Sequence, residues 1–176
     1  MTAEQERTRE ALQMAIQMEI DGRECYLGAS RQSSNEVGRK LLRQLADEEE
    51  LHQRKLVEIY EAISRKKAWP AKALEPDRGL KLRSSFVGTC QAVGVGVKGA
   101  PADFDAIKTA IENEKKSYDF YHRQGQAAVY GTEREFYEAV VAEEREHELL
   151  LLDYYEYLAD PAGWFVKAEH PSLDGG

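Results

Sequence analysis

Two short motifs in this chain could do chemistry: Glu49-Glu-Leu-His52, within Asp47 to His52, and Glu144-Arg-Glu-His147. Residues three apart on a helix lie on one face, so each motif can present a carboxylate and an imidazole to a single point. Helical bundles hold metal ions in this way, between facing helices. One such motif on a Glu-rich helix is a weak signal, because a run such as Asp47-Glu-Glu-Glu50 reads equally well as a solvated face. The second copy changes its weight.

The two motifs are 95 residues apart, and the same interval relates Glu19 to Glu114, Tyr26 to Tyr121, Tyr60 to Tyr155 and Trp69 to Trp164. A constant interval across so many pairs marks an internal repeat. Each half then supplies one Glu from an earlier segment and a Glu-x-x-His from a later one. Paired about a pseudo-twofold axis, the halves would gather four carboxylates and two imidazoles. Each unpaired ion in an apolar interior costs on the order of several kcal/mol, so the cluster calls for cations. Two metal ions bridged by Glu49 and Glu144 would neutralise it, with Glu19 and His52 completing one and Glu114 and His147 the other. Oxygen donors with one imidazole per ion, and no thiolate, suit iron or manganese; zinc also accepts this set.

Four segments carry the helical period needed to position these groups. The first, about Thr2 to Ser30, opens on a Thr2-x-x-Gln5 capping box and runs Leu12, Ala15, Ile16, Glu19, Arg23, Tyr26 along one stripe. The second, about Asn35 to Lys67, follows a Ser/Asn-rich turn, runs Leu41, Leu42, Leu45, Glu49, His52, Leu56, Ile59, Ile63 and is stopped by Trp69-Pro70. The third, about Asp103 to Tyr130, has Asp103 as expected N-cap and runs Phe104, Ile107, Ile111, Glu114, Tyr118, Tyr121. The fourth opens after Gly131 on a Thr132-x-x-Glu135 capping box, runs Phe136, Val140, Glu144, His147, Leu151, Tyr154, Tyr155, Leu158 and stops at Asp160-Pro161. In each, carboxylate or imidazole interrupts an apolar stripe.

The expected fold is all-α: an antiparallel four-helix bundle of two hairpins, about 1–69 and 102–164, joined by a long Pro- and Gly-containing crossover over 70–101. That connectivity is ferritin-like, in one domain spanning 1–176. The crossover is compatible with a homodimer and with hairpin exchange between chains.

Composition agrees with long amphipathic helices: 32% charged and 42% hydrophobic residues at a mean hydropathy of −0.62. A net charge of −8 argues against nucleic acid or an anionic membrane as partner. The charged start lacks the apolar core of a signal peptide and no run is long enough to span a bilayer, so the expected location is cytoplasmic. Cys25 and Cys90 form neither a disulfide framework nor a Cys-x-x-Cys site and read as unpaired thiols.

Other polar residues have plainer readings. Tyr26 and Tyr121 lie two turns beyond Glu19 and Glu114, where each is either a hydrogen-bond partner of a metal-binding carboxylate or an ordinary core aromatic. Glu112 competes with Glu114, but the repeat and the phase of Ile107, Ile111 and Tyr118 favour Glu114. Asp119-Phe-Tyr-His122 has metal-like spacing displaced from the site, and His170 belongs to the tail; both read as surface. Trp69 and Trp164 are expected to close the bundle ends.

At these residues the chain resembles the rubrerythrin-like branch of the ferritin-like superfamily. The marks are Met18-Glu19-Ile-Asp-Gly-Arg-Glu-Cys-Tyr26, Glu49-Glu-Leu-His52, Glu114 with Tyr121, Glu144-Arg-Glu-His147, and the tail from Trp164-Phe165 to Leu173-Asp-Gly-Gly176. The resemblance implies a non-haem di-iron site, with Glu19, Glu49, His52, Glu114, Glu144 and His147 on the ligand positions. It implies an oxidoreductase that reduces hydrogen peroxide or dioxygen, the metal ligands being its only catalytic groups. Two departures stand out. Rubrerythrin proper has a second Glu three residues after the third-helix ligand, where this chain has Ser117, and it carries a rubredoxin domain with paired Cys-x-x-Cys motifs, absent here. Electrons would therefore come from a separate donor such as a rubredoxin-like protein. The alternative expectation is an iron-binding, ferroxidase or metal-handling protein without catalytic turnover.

Overall fold

Each of the four long segments places apolar residues at both ends of one face and charged donors in the middle, and the fold follows from that pattern. A computed structural model describes residues 3–65, 69–70 and 78–169. The expected cap at Thr2, His170 and the tail from Leu173 lie outside those residues. Among the described residues there are six α-helices and no strand. Four form the bundle: α1 (Ala3–Gln32), α2 (Glu36–Ser64), α4 (Pro101–Ala127) and α5 (Gly131–Ala159). Helix α1 packs mainly on α2, and α4 on α5, as two antiparallel hairpins. No helix among the described residues is long and apolar enough to cross a membrane.

Among its described residues, the crossover carries more helix than its Gly content suggests. It contains α3 (Arg78–Val93), followed by a 3-10 turn at Gly94–Gly96. Leu82, Phe86 and Cys90, four residues apart, are all buried and join one core of the bundle. Helix α3 thereby lies against α2 and α5. Its propensity is poor, with Gly79, Ser84, Ser85, Gly88 and Thr89 in sixteen residues. Tertiary burial of one stripe stabilises it where propensity does not.

The helix ends also differ from expectation. Helix α2 closes at Ser64, with Arg65 N–H donating to Glu61 O at 3.1 Å, and the expected end at Lys67 lies outside the described residues. Helix α4 begins at Pro101 with Ala100 as N-cap, and Asp103 sits a turn inside. The Asp103 carboxylate reaches back to Ala100 N–H at 2.8 Å and across to Ser34 N–H at 3.0 Å and the Ser34 hydroxyl. It thus ties the α1–α2 turn to the start of the second hairpin. Helix α4 stops at Ala127 rather than Tyr130, and α5 starts at Gly131 with no side-chain cap, so the Thr132 capping box does not form. Asp160-Pro161 ends α5 as expected, but it also starts α6 (Pro161–Glu169): proline suits a first helical position, and Gly163 N–H donates to Asp160 Oδ1 at 3.0 Å.

The apolar residues separate into two cores. One gathers Tyr26, Leu41, Leu45, Ile107, Leu151 and Tyr157 with α3 and Trp164. The other gathers Leu12, Leu56, Phe120, Tyr121, Phe136 and Tyr137 with Trp69. Every long helix contributes to both. Between them lies a belt of carboxylates and imidazoles, and each tryptophan is buried in one of the two cores.

Candidate metal centre

The belt is built by one residue from α1, two from α2, one from α4 and two from α5. Glu19, Glu49, His52, Glu114, Glu144 and His147 come together there, none more than 4% exposed. Helical phase does this: Glu49 and His52 continue the buried stripe Leu41, Leu45 to Leu56, Ile59, and Glu144 and His147 continue Phe136, Val140 to Leu151, Tyr154. Glu114 is buried where Glu112 is exposed, as the phase of α4 requires. Asp47 is exposed while Glu48 and Glu49 are buried, so the acidic run is split between water and interior.

The donor atoms form two overlapping groups. Glu19, Glu49, His52 and Glu144 make one; Glu49, Glu114, Glu144 and His147 make the other; within each, the atoms lie within 4.8 Å of one another. Glu49 and Glu144 belong to both. Each group thus takes three residues from one hairpin and one from the other. His52 Nδ1 lies 3.2 Å from Glu144 Oε1 and 3.4 Å from Glu19 Oε2, while His147 Nδ1 lies 3.5 Å from Glu49 Oε1 and 3.6 Å from Glu114 Oε2. The two rings stack with centroids 5.8 Å apart.

One buried polar atom from each of the six residues lacks a hydrogen-bond partner: Glu19 Oε2, Glu49 Oε1, His52 Nδ1, Glu114 Oε2, Glu144 Oε1 and His147 Nδ1. Buried polar atoms are rarely left so, and six converging on one place ask for a shared partner. A metal ion satisfies them, since donors each about 2 Å from a common ion sit about 3 Å or more from one another. The residues therefore fit two metal ions, one per group.

Without metal, the site must hold protons instead. Burial, then the neighbouring Glu19, pushes Glu49 well above the carboxylate range, and burial with Glu114 does the same to Glu144. Glu19 moves the other way: burial opposes its charge, but the close approach of Glu49 and His52 outweighs burial. For His52, burial opposes the imidazolium, yet the Glu143 contact and the nearby carboxylates of Glu144 and Glu19 hold its pKa well above the usual value. His147 is raised for the same kind of reason, burial being outweighed mainly by Glu114.

The tyrosines are wired across the repeat. Tyr26 on α1 donates to Glu114 of α4, and Tyr121 on α4 donates to Glu19 of α1. Each phenol serves the carboxylate of the other hairpin, not the one two turns before it on its own helix. Burial first, and then the adjacent carboxylates, raises both phenols well above their usual pKa, so they remain donors.

Glu143 is a partner the motif reading missed. Its Oε2 lies 2.5 Å from His52 Nε2, which fixes that nitrogen as donor and turns Nδ1 toward the site. The repeat gave a signal for it: Glu48 stands one interval earlier, also preceding a clustered Glu, and is buried. The remaining readings fall outside the cluster. Arg23 of the α1 stripe pairs with Glu50 at 3.2 Å, and His122 is exposed and stacked on Tyr118. Cys25 and Cys90 are free thiols.

No curated protein and no solved structure matches the chain. The profile of the Rubrerythrin family does match it, over residues 10–155, from α1 almost to the end of α5 and through every residue of the cluster. With its helical bundle and buried carboxylate–histidine belt, the chain belongs to the rubrerythrin family.

Proposed function

We propose that this protein is a non-haem di-iron oxidoreductase that reduces hydrogen peroxide or dioxygen with electrons from a separate donor protein. The observation that carries the reading is the set of six orphaned donor atoms in two groups sharing Glu49 and Glu144. Glu19, Glu49, His52 and Glu144 would hold one ion, and Glu49, Glu114, Glu144 and His147 the other. When bound, the pair of irons supplies two-electron redox capacity and Lewis acidity; manganese or zinc would satisfy the same donors.

The chain's own residues set the conditions. Glu143 holds a proton on His52 Nε2 and leaves Nδ1 free to bind. Tyr26 and Tyr121 orient the carboxylates of Glu114 and Glu19, as outer partners of metal ligands do. The two apolar cores close the belt from both ends of the bundle and keep bulk water out along the axis. Reduction of hydrogen peroxide to two waters takes two electrons and two protons. Cys25 and Cys90 are unpaired thiols and form no Cys-x-x-Cys pair, and we assign the electrons to a partner such as a rubredoxin-like protein.

The test is metal analysis of protein expressed with iron, followed by anaerobic reduction and mixing with hydrogen peroxide in a stopped-flow instrument. Two irons per chain and rapid ferric absorption are expected, with repeated turnover when an artificial reductant is present. Absence of metal, or no change on mixing, would sink the reading. A single stoichiometric oxidation without turnover would assign the protein to iron handling instead.

A further inference from the structure

A cavity of about 200 Å³ opens between α1 and α4 and reaches the belt. Glu49 and Glu114 line it, each carrying one of the orphaned oxygens, while neither imidazole does. Three pairs of its wall residues are related by the 95-residue repeat: Met18 with Asn113, Asp21 with Lys116, and Gly22 with Ser117. The cavity therefore lies where the two halves of the repeat meet, and it reaches the donor group of His147 through Glu49 and Glu114.

Gly22 is the informative residue. It stands inside a 30-residue helix, where glycine weakens the helix, and it lacks the positive φ that would explain a glycine there. A β-carbon at this position would rest 3.5 Å from Glu49 Oε2, in ordinary contact. Packing does not demand the glycine; what it provides is open space over a carboxylate. Its repeat mate Ser117 is also small. One water in the liquid takes about 30 Å³, so hydrogen peroxide or dioxygen would leave most of this cavity empty. Met18, Ala110 and Tyr26 give it apolar wall, next to the polar Asn113.

We propose that this cavity is the approach to the metal centre and that Gly22 and Ser117 size it for an oxidant carrying an organic group, an alkyl or aryl hydroperoxide. The proposal rests on the peroxide-reducing reading of the site. The reaction is two-electron cleavage of the O–O bond: ROOH takes two electrons supplied by the separate donor protein, which is oxidised by two equivalents in total, and two protons from solvent, and leaves as ROH and water.

The experiment uses Gly22→Leu and Ser117→Leu in the full chain, with metal content measured for each. In the metal-free proteins, Cys25, which lines the cavity, is alkylated with iodoacetamide; Cys90, fully buried, is the internal control. Both substitutions should slow Cys25 alkylation at least roughly tenfold; unchanged rates in both would overturn the assignment of the cavity as the open approach. In the iron-loaded proteins, oxidation by hydrogen peroxide and by cumene hydroperoxide is compared. Wild type should use both, and the variants should lose the cumene hydroperoxide rate at least roughly tenfold more than the hydrogen peroxide rate. Wild-type use of hydrogen peroxide alone, or equal loss of both rates, overturns the substrate class. Inertness of wild type to both sinks the underlying functional reading, and the alkylation result still decides whether the cavity is the approach.

Discussion

Removing the Glu143 carboxylate should weaken one metal position and spare the other. Glu143 is the only described partner of His52 Nε2, at 2.5 Å, and it does not belong to either donor group. In Glu143→Ala the imidazole loses the contact that fixes its tautomer and ring angle, so Nδ1 no longer faces Glu19 and Glu144 by default. Loss of such an outer partner costs about 10–100-fold in metal affinity, or about 1.4–2.8 kcal/mol. The cost should fall on the group containing His52, because His147 has its own surroundings 5.8 Å away. Competition against a chromophoric chelator, with zinc as a redox-silent probe, should resolve one weakened and one unchanged equivalent. Glu143→Gln keeps an acceptor but drops the charge and should fall between wild type and alanine. Equal weakening of both equivalents, or of neither, would refute the idea that Glu143 orients His52.

Three further outcomes are expected. Tyr26→Phe and Tyr121→Phe each strip a hydrogen bond from a buried carboxylate, Glu114 or Glu19, and should each lower the denaturant stability of the metal-loaded protein by about 1.5–3 kcal/mol while leaving two metals bound. Asp103→Ala cuts the links to Ser34 and Ala100 and should cost about 2–4 kcal/mol, read as a lower melting temperature. Burial opposes the Asp103 charge but the Ser34 hydrogen bonds outweigh it and lower its pKa; its contribution is therefore present above the unfolded value of about 3.9 and lost as pH falls through the folded one, so the variant should be less acid-sensitive below about pH 4. Glu49, Glu144, His52 and His147 are all raised, so their contributions are present below unfolded values of about 4.3 and 6.5 and lost as pH rises through the folded ones. Above about pH 4.3, where the lowered groups Glu19 and Asp103 no longer titrate in either state, calorimetry of the metal-free protein should show stability falling with pH, by about 1.4 kcal/mol per unit for each extra proton held, and a rise there would contradict the assignment.

The bundle and the convergence of six donors were legible in the sequence because both depend on periodicity. Glu49 and His52 sit in phase with Leu45 and Leu56, and the 95-residue interval marks their mates without any three-dimensional information. The crossed pairing of Tyr26 with Glu114 was not legible, because it depends on the placement of one hairpin against the other. Helix α3 escaped for another reason: Leu82, Phe86 and Cys90 give it a buried stripe, but its glycines and serines hide the helix until α2 and α5 are there to cover it. Asp103 shows the limit at helix ends, where a good N-cap residue was drawn one turn inward by Ser34.

The two apolar cores bear on how the protein comes into being. Each draws on both hairpins, so a ribosome that has released only the first leaves α1 and α2 with half of either core uncovered. At that moment the nascent chain owns Glu19, Glu49 and His52, an incomplete claw without Glu144. If the belt holds metal as proposed, neither donor group is complete until the second hairpin docks, so loading would be a late event in biogenesis and a report that assembly has finished.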